Sequence, residues 1–471
     1  MRHILLLFLV AHVISLAAAE SSPDRLEADE WFVGELAGQP AISIHQVATR
    51  HGDGRRTTRT DLVLAILRRI PVPGQAEREI RFELRDGQTF VESASGAVLS
   101  FRFERDENGS RTTAFGAIKG AQVTGTLQRL GRSEPVAFSL PDGVVPVGDR
   151  RMQDLLTTIG DTDGDQLPLT SLVLVDAQVL PVAMIATYRG LDDRGRLQID
   201  VLSDMLPVTT RYLMLPKGGM VGMEMKVLGM TLAIRPNPGP VALLGAALNP
   251  STLVTAVGEP PAQGEVWVQL PPGAMAPDDE FQTATGAVMQ IRAVAVPSAL
   301  PDPQPWLQAE PSLELDDPAL RAWVDNAVLA ERGDRTAMAE RLRTAVRSHI
   351  SGAEFDVGDG SALETFRRRR GDCTEHANLL CAALRIAGIP ARVDVGLVWY
   401  ERQHAWIGHA WTSAWVDGSW LHLDSALPGI PRSRYLKLAT VTGGTVKESR
   451  GRLVGLLGDL AGKPLTFVPA P

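Results

Sequence analysis

Two local signals dictate which distant residues this chain must bring together. The stretch Gly371-Asp372-Cys373-Thr374-Glu375-His376-Ala377 opens an apolar run, and further on His409-Ala410-Trp411 leads through Asp417-Gly418 to Leu423-Asp424. Asp372 is a good N-cap and Glu375 follows at the capping-box position, so Cys373 becomes the first residue of a helix that Gly388 and Pro390 end. Residues 409–416 alternate, Asp417-Gly418 is a two-residue hairpin signal, and residues 419–424 return. That turn sets Val416 against Ser419, which places Asp424 opposite Trp411 and diagonal to His409, ~7–8 Å away between backbones. A one-residue slip would carry Asp424 to the other face of the sheet. A thiol that starts a helix, an imidazole and a carboxylate are the parts of a nucleophilic triad.

Cysteine usage sharpens this reading. Arg2 and His3 precede an apolar run over residues 4–16, and Ala17-Ala18-Ala19 offers a small-residue cleavage site, the pattern of a secretory signal over residues 1–19. No cysteine follows it to carry a lipid, and no later stretch is apolar enough to span a bilayer. The expectation is an exported protein, periplasmic or extracellular. Exported proteins commonly spend cysteines on disulfides, yet this chain has 2 cysteines, Cys373 and Cys381. On one helix their Cα atoms would lie ~12 Å apart, against the roughly 4.4–6.8 Å that a disulfide spans. Cys373, at the polar helix start, is read as the chemical thiol, and Cys381, between Leu380 and Ala382, as a small buried apolar residue.

The chain has 471 residues, 44 glycines, 32 prolines and a net charge of −8, which argues against a nucleic-acid partner. Residues 24–296 read as antiparallel and β-rich. Alternating runs such as Val98-Leu99-Ser100-Phe101-Arg102-Phe103 are separated by turns such as Glu107-Asn108-Gly109, with room for two β units meeting near residues 161–164. A short helix is expected at 151–159. Five prolines make 297–317 an extended linker. Helical periodicity then marks 318–330, 336–350 and 361–369, within a unit over 318–445, followed by a tail over 446–471.

The residues match a family. The segment 371–377, taken with Ala387-Gly388-Ile389-Pro390-Ala391-Arg392-Val393, resembles the cysteine motif of bacterial secreted transglutaminase-like proteins. Gly408-His409-Ala410-Trp411 and Trp415-Val416-Asp417-Gly418-Ser419-Trp420 through Leu423-Asp424 resemble that family's histidine and aspartate motifs, in its order and spacing, over residues 318–438. The resemblance implies an α+β chain: an N-terminal antiparallel β-rich region, then a papain-like transglutaminase-like domain. It further implies a catalytic triad of Cys373, His409 and Asp424, no cofactor, and a peptide or protein amide as substrate. Residues 31–46 are similar to the β region that precedes this domain in exported members. Ser425 stands where the family often has Pro or Ala.

Two functions stay open at this point. One is an exported cysteine amidase, protease or protein-glutamine acyltransferase. The other is an envelope binding protein that uses the same fold without catalysis. Nearby residues have plainer readings: His376 as a packing or hydrogen-bonding residue rather than a zinc ligand, His422 as a strand histidine with a supporting role as the alternative, and Trp411, Trp415 and Trp420 as core on the Asp424 face. His404 and Trp406 are placed in a loop that could rim the cleft. Asp161-Thr162-Asp163-Gly164-Asp165 lacks the later ligands of a calcium loop and reads as a polar turn. Met214, Met220, Met223, Met225 and Met230 read as core packing or an apolar surface. Arg367 to Arg370, just before the nucleophile, read as solvated, with support of the thiolate or attraction of acidic peptides as the alternative.

Overall fold

The computed structural model describes residues 23–70, 78–175, 177–206, 208–227, 229–243, 245–248, 254–297, 299–300, 302–353, 360–443, 453 and 455–470. The signal-like residues 1–19 lie outside them. Within them a β-rich N-terminal region is followed by a mixed α/β C-terminal region.

The N-terminal region is a meander that runs outward and comes back. Strands β1 (Arg25–Leu36), β2 (Gln39–Arg50), β3 (Arg56–Ile70), β4 (Arg78–Glu92), β5 (Val98–Glu107), β6 (Ser110–Lys119), β7 (Gln122–Arg129) and β8 (Arg132–Ser139) pair antiparallel in chain order. Helix α1 (Asp149–Leu156), near the expected 151–159, then leads to β9 (Gln166–Val175), β10 (Gln178–Leu191), β11 (Leu197–Ser203), β12 (Thr210–Met214), β13 (Met220–Val227) and β14 (Met230–Asn237). β14 pairs with the free edge of β1, so both arms belong to one hydrogen-bonded sheet, to which β15 (Ala246–Leu248) adds beside β3.

Apolar burial curls this sheet. Phe90, Phe101, Phe103 and Val123 of the first arm share a core with Leu172, Leu174 and Val179 of the second, so the two ends pack over one another without pairing. Gly116 faces Gly125 where β6 crosses β7. A Cβ on Gly116 would sit 2.3 Å from the Thr124 carbonyl oxygen and 2.7 Å from the Phe101 ring, so glycine permits the close approach that seats that phenylalanine. Met214 is buried in a core with Leu156 of α1, and Met220 packs against it. The 161–165 segment is a turn in which Thr162 N–H donates to the Asp165 carboxylate at 3.1 Å.

The C-terminal region holds two sheets. β16 (Val254–Val257), β17 (Val266–Gln269), β18 (Gln282–Thr285) and β19 (Val288–Ile291) are completed by β26 (Lys463–Val468), which inserts between β16 and β17. A second sheet has the order β24-β23-β22-β25, from β22 (Ala391–Tyr400), β23 (Ala405–Val416), β24 (Ser419–Leu423) and β25 (Tyr435–Thr440). Between them in sequence come α2 (Pro318–Ala327), α3 (Arg335–His349), α4 (Ala362–Arg368) and α5 (Cys373–Ile386), with a two-strand bridge of β20 (Gly352–Ala353) and β21 (Arg370–Gly371). α5 is almost wholly buried: Leu379, Leu380, Cys381 and Leu384 pack with Ala410, Ala414 and Leu423 of the sheet behind it. The first sheet packs on the second through Val266, Met289 and Leu465 against Leu397, Trp399, Trp406 and Leu436.

Ion pairs join the two regions. Arg129 pairs with the buried Glu364 of α4 at 3.3 Å, and Arg132 with Asp316 at 2.9 Å, beside the Asp317 N-cap of α2. No helix among the described residues is long and apolar enough to cross a membrane.

Candidate active site

The start of α5 is built by local rules. Arg369, in the left-handed region at φ 58°, ends α4 and turns the chain toward the new helix. The Asp372 carboxylate accepts from Thr374 N–H at 2.8 Å, and the Glu375 carboxylate accepts from Asp372 N–H at 2.8 Å, closing the capping box. A second Glu375 oxygen accepts from Gly360 N–H at 2.8 Å. Burial, with Asp372 beside it, holds the Glu375 carboxyl well above its ordinary range. Gly371 is required here, since a Cβ would lie 2.2 Å from that of Glu375. Cys373 is therefore the first residue of the helix, half-buried and free of any disulfide.

The hairpin has the register that its alternation demands. Val416 pairs with Ser419 and Thr412 with Leu423, and both turn residues have positive φ, 49° at Asp417 and 80° at Gly418, as a type I′ turn needs. Asp424 follows the last paired residue, and its Oδ2 lies 2.7 Å from Nε2 of His409. His409 and Asp424 are each 7% exposed. The Thr412 hydroxyl donates to the Ala377 carbonyl at 3.0 Å, tying β23 to the first turns of α5. Cys373 stands near enough to the His409 ring to favour its charged form. Asp424 occupies Nε2, which leaves Nδ1 as the ring nitrogen for the thiol. The structure thus joins two of the sequence-derived candidates, His409 and Asp424, directly, and places Cys373 at the helix start that faces them.

Electrostatics follow from this packing. Burial alone would discharge His409, but the Asp424 carboxylate and its hydrogen bond outweigh burial, and with the Cys373 contact they push the imidazole up to about 10. Burial likewise works against the Asp424 charge, yet His409 and the Leu427 amide hold it well below the usual carboxylate range. Its Oδ1 accepts from Ala426 N–H at 2.8 Å and Leu427 N–H at 3.0 Å, while the Tyr435 hydroxyl donates to Oδ2 at 2.8 Å. Sequence reasoning missed Tyr435. It opens a strand outside the motif segments, and no spacing rule points from it to Asp424.

These charges predict a pH response. His409 is raised from an ordinary value near 6.5, so its pairing adds stability that is full below about pH 6.5 and is withdrawn as the pH rises through about 10. Alkylation of Cys373 by iodoacetamide is accordingly expected to show an inflection near pH 10, where the imidazolium loses its proton. His409→Ala is expected to erase that step. An unchanged profile in the variant would break the link between the two side chains.

The neighbours sort clearly. His376 bonds through Nδ1 to the Ser425 hydroxyl at 3.1 Å, and burial pushes it down to about 4, so it is neutral at pH 7. Ser425, the residue after Asp424, is thereby linked to α5. His422 packs at 4.4 Å from the Tyr435 ring and 6.1 Å from that of Trp411, and burial pushes it down to about 3. Trp411 is buried, Trp420 lies under Arg392 at 4.0 Å, and Trp415 meets Trp420 edge-on. Trp406 corrects the expectation of a cleft rim: it is a strand residue buried with Trp399 and Phe467, because β23 already starts at Ala405 and pairs along β22. His404 is exposed beside Glu259. Arg367 and Arg368 are engaged by Asp317 and Glu364, and Arg369 donates to the His349 carbonyl, so they brace α4. No group of three or more His, Cys, Asp or Glu residues among those described could hold a metal.

Comparison with known proteins gives a partial family match. Residues 322–425 match the transglutaminase-like superfamily, so a small C-terminal part of the chain resembles it. No curated protein matches the sequence. Among solved structures, a candidate cysteine protease from Cytophaga hutchinsonii is 16% identical, covering 40% of this chain and 77% of its own, at a TM-score of 0.28. A β-barrel-like protein of the DUF1849 domain of unknown function from Brucella abortus is 12% identical, covering 46% of this chain and 95% of its own, at 0.32. A candidate protease from Parabacteroides distasonis is 12% identical, covering 54% and 65%, at 0.21.

Proposed function

We propose that this chain is an exported, cysteine-dependent enzyme with a papain-like transglutaminase-like domain, which breaks peptide or protein amides by acyl transfer to Cys373. One observation carries the reading: a helix-opening thiol beside an imidazole whose Nε2 is 2.7 Å from a buried carboxylate. The superfamily match over 322–425 includes all three residues.

In this mechanism Cys373 Sγ, as thiolate, attacks the amide carbonyl carbon. The tetrahedral intermediate expels the amine as the C–N bond breaks, and His409 gives that nitrogen its proton. A thioester to Cys373 remains. Water or an amine then attacks it, His409 takes the nucleophile's proton, and the C–S bond breaks to restore the thiolate. Asp424 keeps the ring in the tautomer and orientation that both steps need. Water makes the reaction a hydrolysis and an amine makes it a transfer.

The test is a screen of glutamine-containing and envelope-type peptides for ammonia release, amine incorporation and chain cleavage. Wild type is expected to consume at least one substrate. Cys373→Ala is expected to lose all turnover while its stability stays within about 1 kcal/mol, since a half-buried thiol supports little packing. Turnover that survives the substitution would exclude this mechanism. A wild type inert in every assay would favour the binding protein.

A further inference from the structure

Asp424 has a side-chain partner beyond the imidazole. Tyr435 is 0% exposed, and its hydroxyl donates to the same Asp424 oxygen that faces His409. Burial and the adjacent carboxylate hold its phenol well above the ordinary range, so it stays a donor at any pH at which the protein is folded.

Tyr435 is itself held by neighbours that are braced from residues 279–282, ahead of the segment that carries the family likeness. Its backbone carbonyl accepts from Arg432 Nη1 at 2.6 Å, and Arg432 lies over the Phe281 ring at 4.4 Å. The His422 ring stands 4.4 Å from the tyrosine and 6.5 Å from Phe281. Further along β25, the Gln282 side chain takes both backbone groups of Lys437: Lys437 N–H donates to Oε1 at 2.9 Å, and Nε2 donates to the Lys437 carbonyl at 2.9 Å. The Lys437 ammonium bridges Asp279 at 3.1 Å and Asp394 at 3.0 Å, and Arg392 joins Glu280 to Asp394. Residues 279–282 thus bind β25 by backbone and charge contacts, and Phe281 reaches Tyr435 through Arg432 and His422. A strand held so firmly leaves the phenol little freedom to leave its carboxylate.

We propose that Tyr435 is a positioning residue for Asp424, and that residues 279–282 extend the machinery of the site by fixing the strand that carries it. The inference rests on the enzymatic reading above. Tyr435 limits rotation of the carboxylate and draws part of its charge, so that His409 is aimed at the thiol and remains a usable acid. The titratable groups facing His409 are Cys373 and His376 from α5, His422 of β24, Asp424 after it, and Tyr435 from β25.

Tyr435→Phe keeps the ring and removes only the donor. With a substrate from the screen, kcat is expected to fall about tenfold while KM is unchanged. The alkaline inflection of iodoacetamide labelling is expected to move upward, because the carboxylate then concentrates its charge on the imidazolium. A residue that merely fills space would leave that inflection where it is. Gln282→Ala is expected to shift both quantities in the same direction by less. Wild-type kcat with an unmoved inflection in Tyr435→Phe overturns the proposal, as does a loss that falls on KM alone. If wild type consumes no amide, the enzymatic reading fails on its own. The labelling inflection then still reports whether Tyr435 acts on His409 through Asp424.

Discussion

Asp424→Asn is expected to lower turnover by on the order of 1,000- to 10,000-fold while the protein stays folded. Four donors converge on this carboxylate: His409 and Tyr435 on Oδ2, and the amides of Ala426 and Leu427 on Oδ1. An amide has one oxygen. If that oxygen keeps the two backbone N–H groups, the asparagine NH2 faces Nε2 of His409 and the tyrosine hydroxyl, donor against donor. The ring then loses both its orienting acceptor and the charge that holds its proton. The pH profile adds a second readout, because the inflection near 10 should fall back toward about 6.5 without the carboxylate. The unmatched donors are expected to cost about 1–3 kcal/mol of stability, visible in a melt but short of unfolding. Activity within tenfold of wild type, in a variant whose inflection has not moved, would remove Asp424 from the mechanism.

The second large effect lies behind the site, in the buried charge cluster. Asp394 is 1% exposed and accepts from the Ser413 hydroxyl at 2.7 Å, the Thr440 hydroxyl at 2.6 Å, Arg392 at 3.1 Å and Lys437 at 3.0 Å. Burial opposes its charge, but Arg392 and Lys437 overcome this and hold the carboxyl far below its usual range. Asp394→Ala strands two buried cations and two hydroxyls, a loss of about 3–5 kcal/mol that should lower the melting midpoint by roughly 10 °C. The sign of the pH effect is fixed by the depressed carboxyl. Its contribution is present above about pH 4 and withdrawn as the pH falls below that. Wild type should therefore lose stability in acid more steeply than the variant. Equal midpoints and parallel acid limbs would show that Glu280 and Asp279 satisfy the cations without Asp394.

Cys373 and Asp424 differ in how they were found. The helix start at Cys373 depends on Asp372 and Glu375, which lie within one turn of it, so a capping rule reads it directly. Asp424 came from counting back along a hairpin whose loop is two residues long, and Asp417 and Gly418 adopt the turn that makes such counting valid. Trp406 falls in a loop when the strand is counted only from His409, whereas β23 already begins at Ala405. Ser425 shows a limit of another kind. Its departure from the family pattern was visible, but its bond to His376 depends on where α5 crosses the end of β24.

Local chemistry in the sequence therefore determined the helix start at the thiol, the hairpin register that aims Asp424 at His409, and the alternating strands of the N-terminal region. Each of these rests on interactions within a turn of helix or across a tight turn, where the chain gives the partner little choice. Tertiary structure alone decided that β14 closes back on β1, that β26 inserts between β16 and β17, and that residues 279–282 and Tyr435 meet behind Asp424. An alternating strand states which face is apolar and leaves its neighbour open. That choice is made by the burial and hydrogen bonding of the whole assembly, which no short window of residues contains.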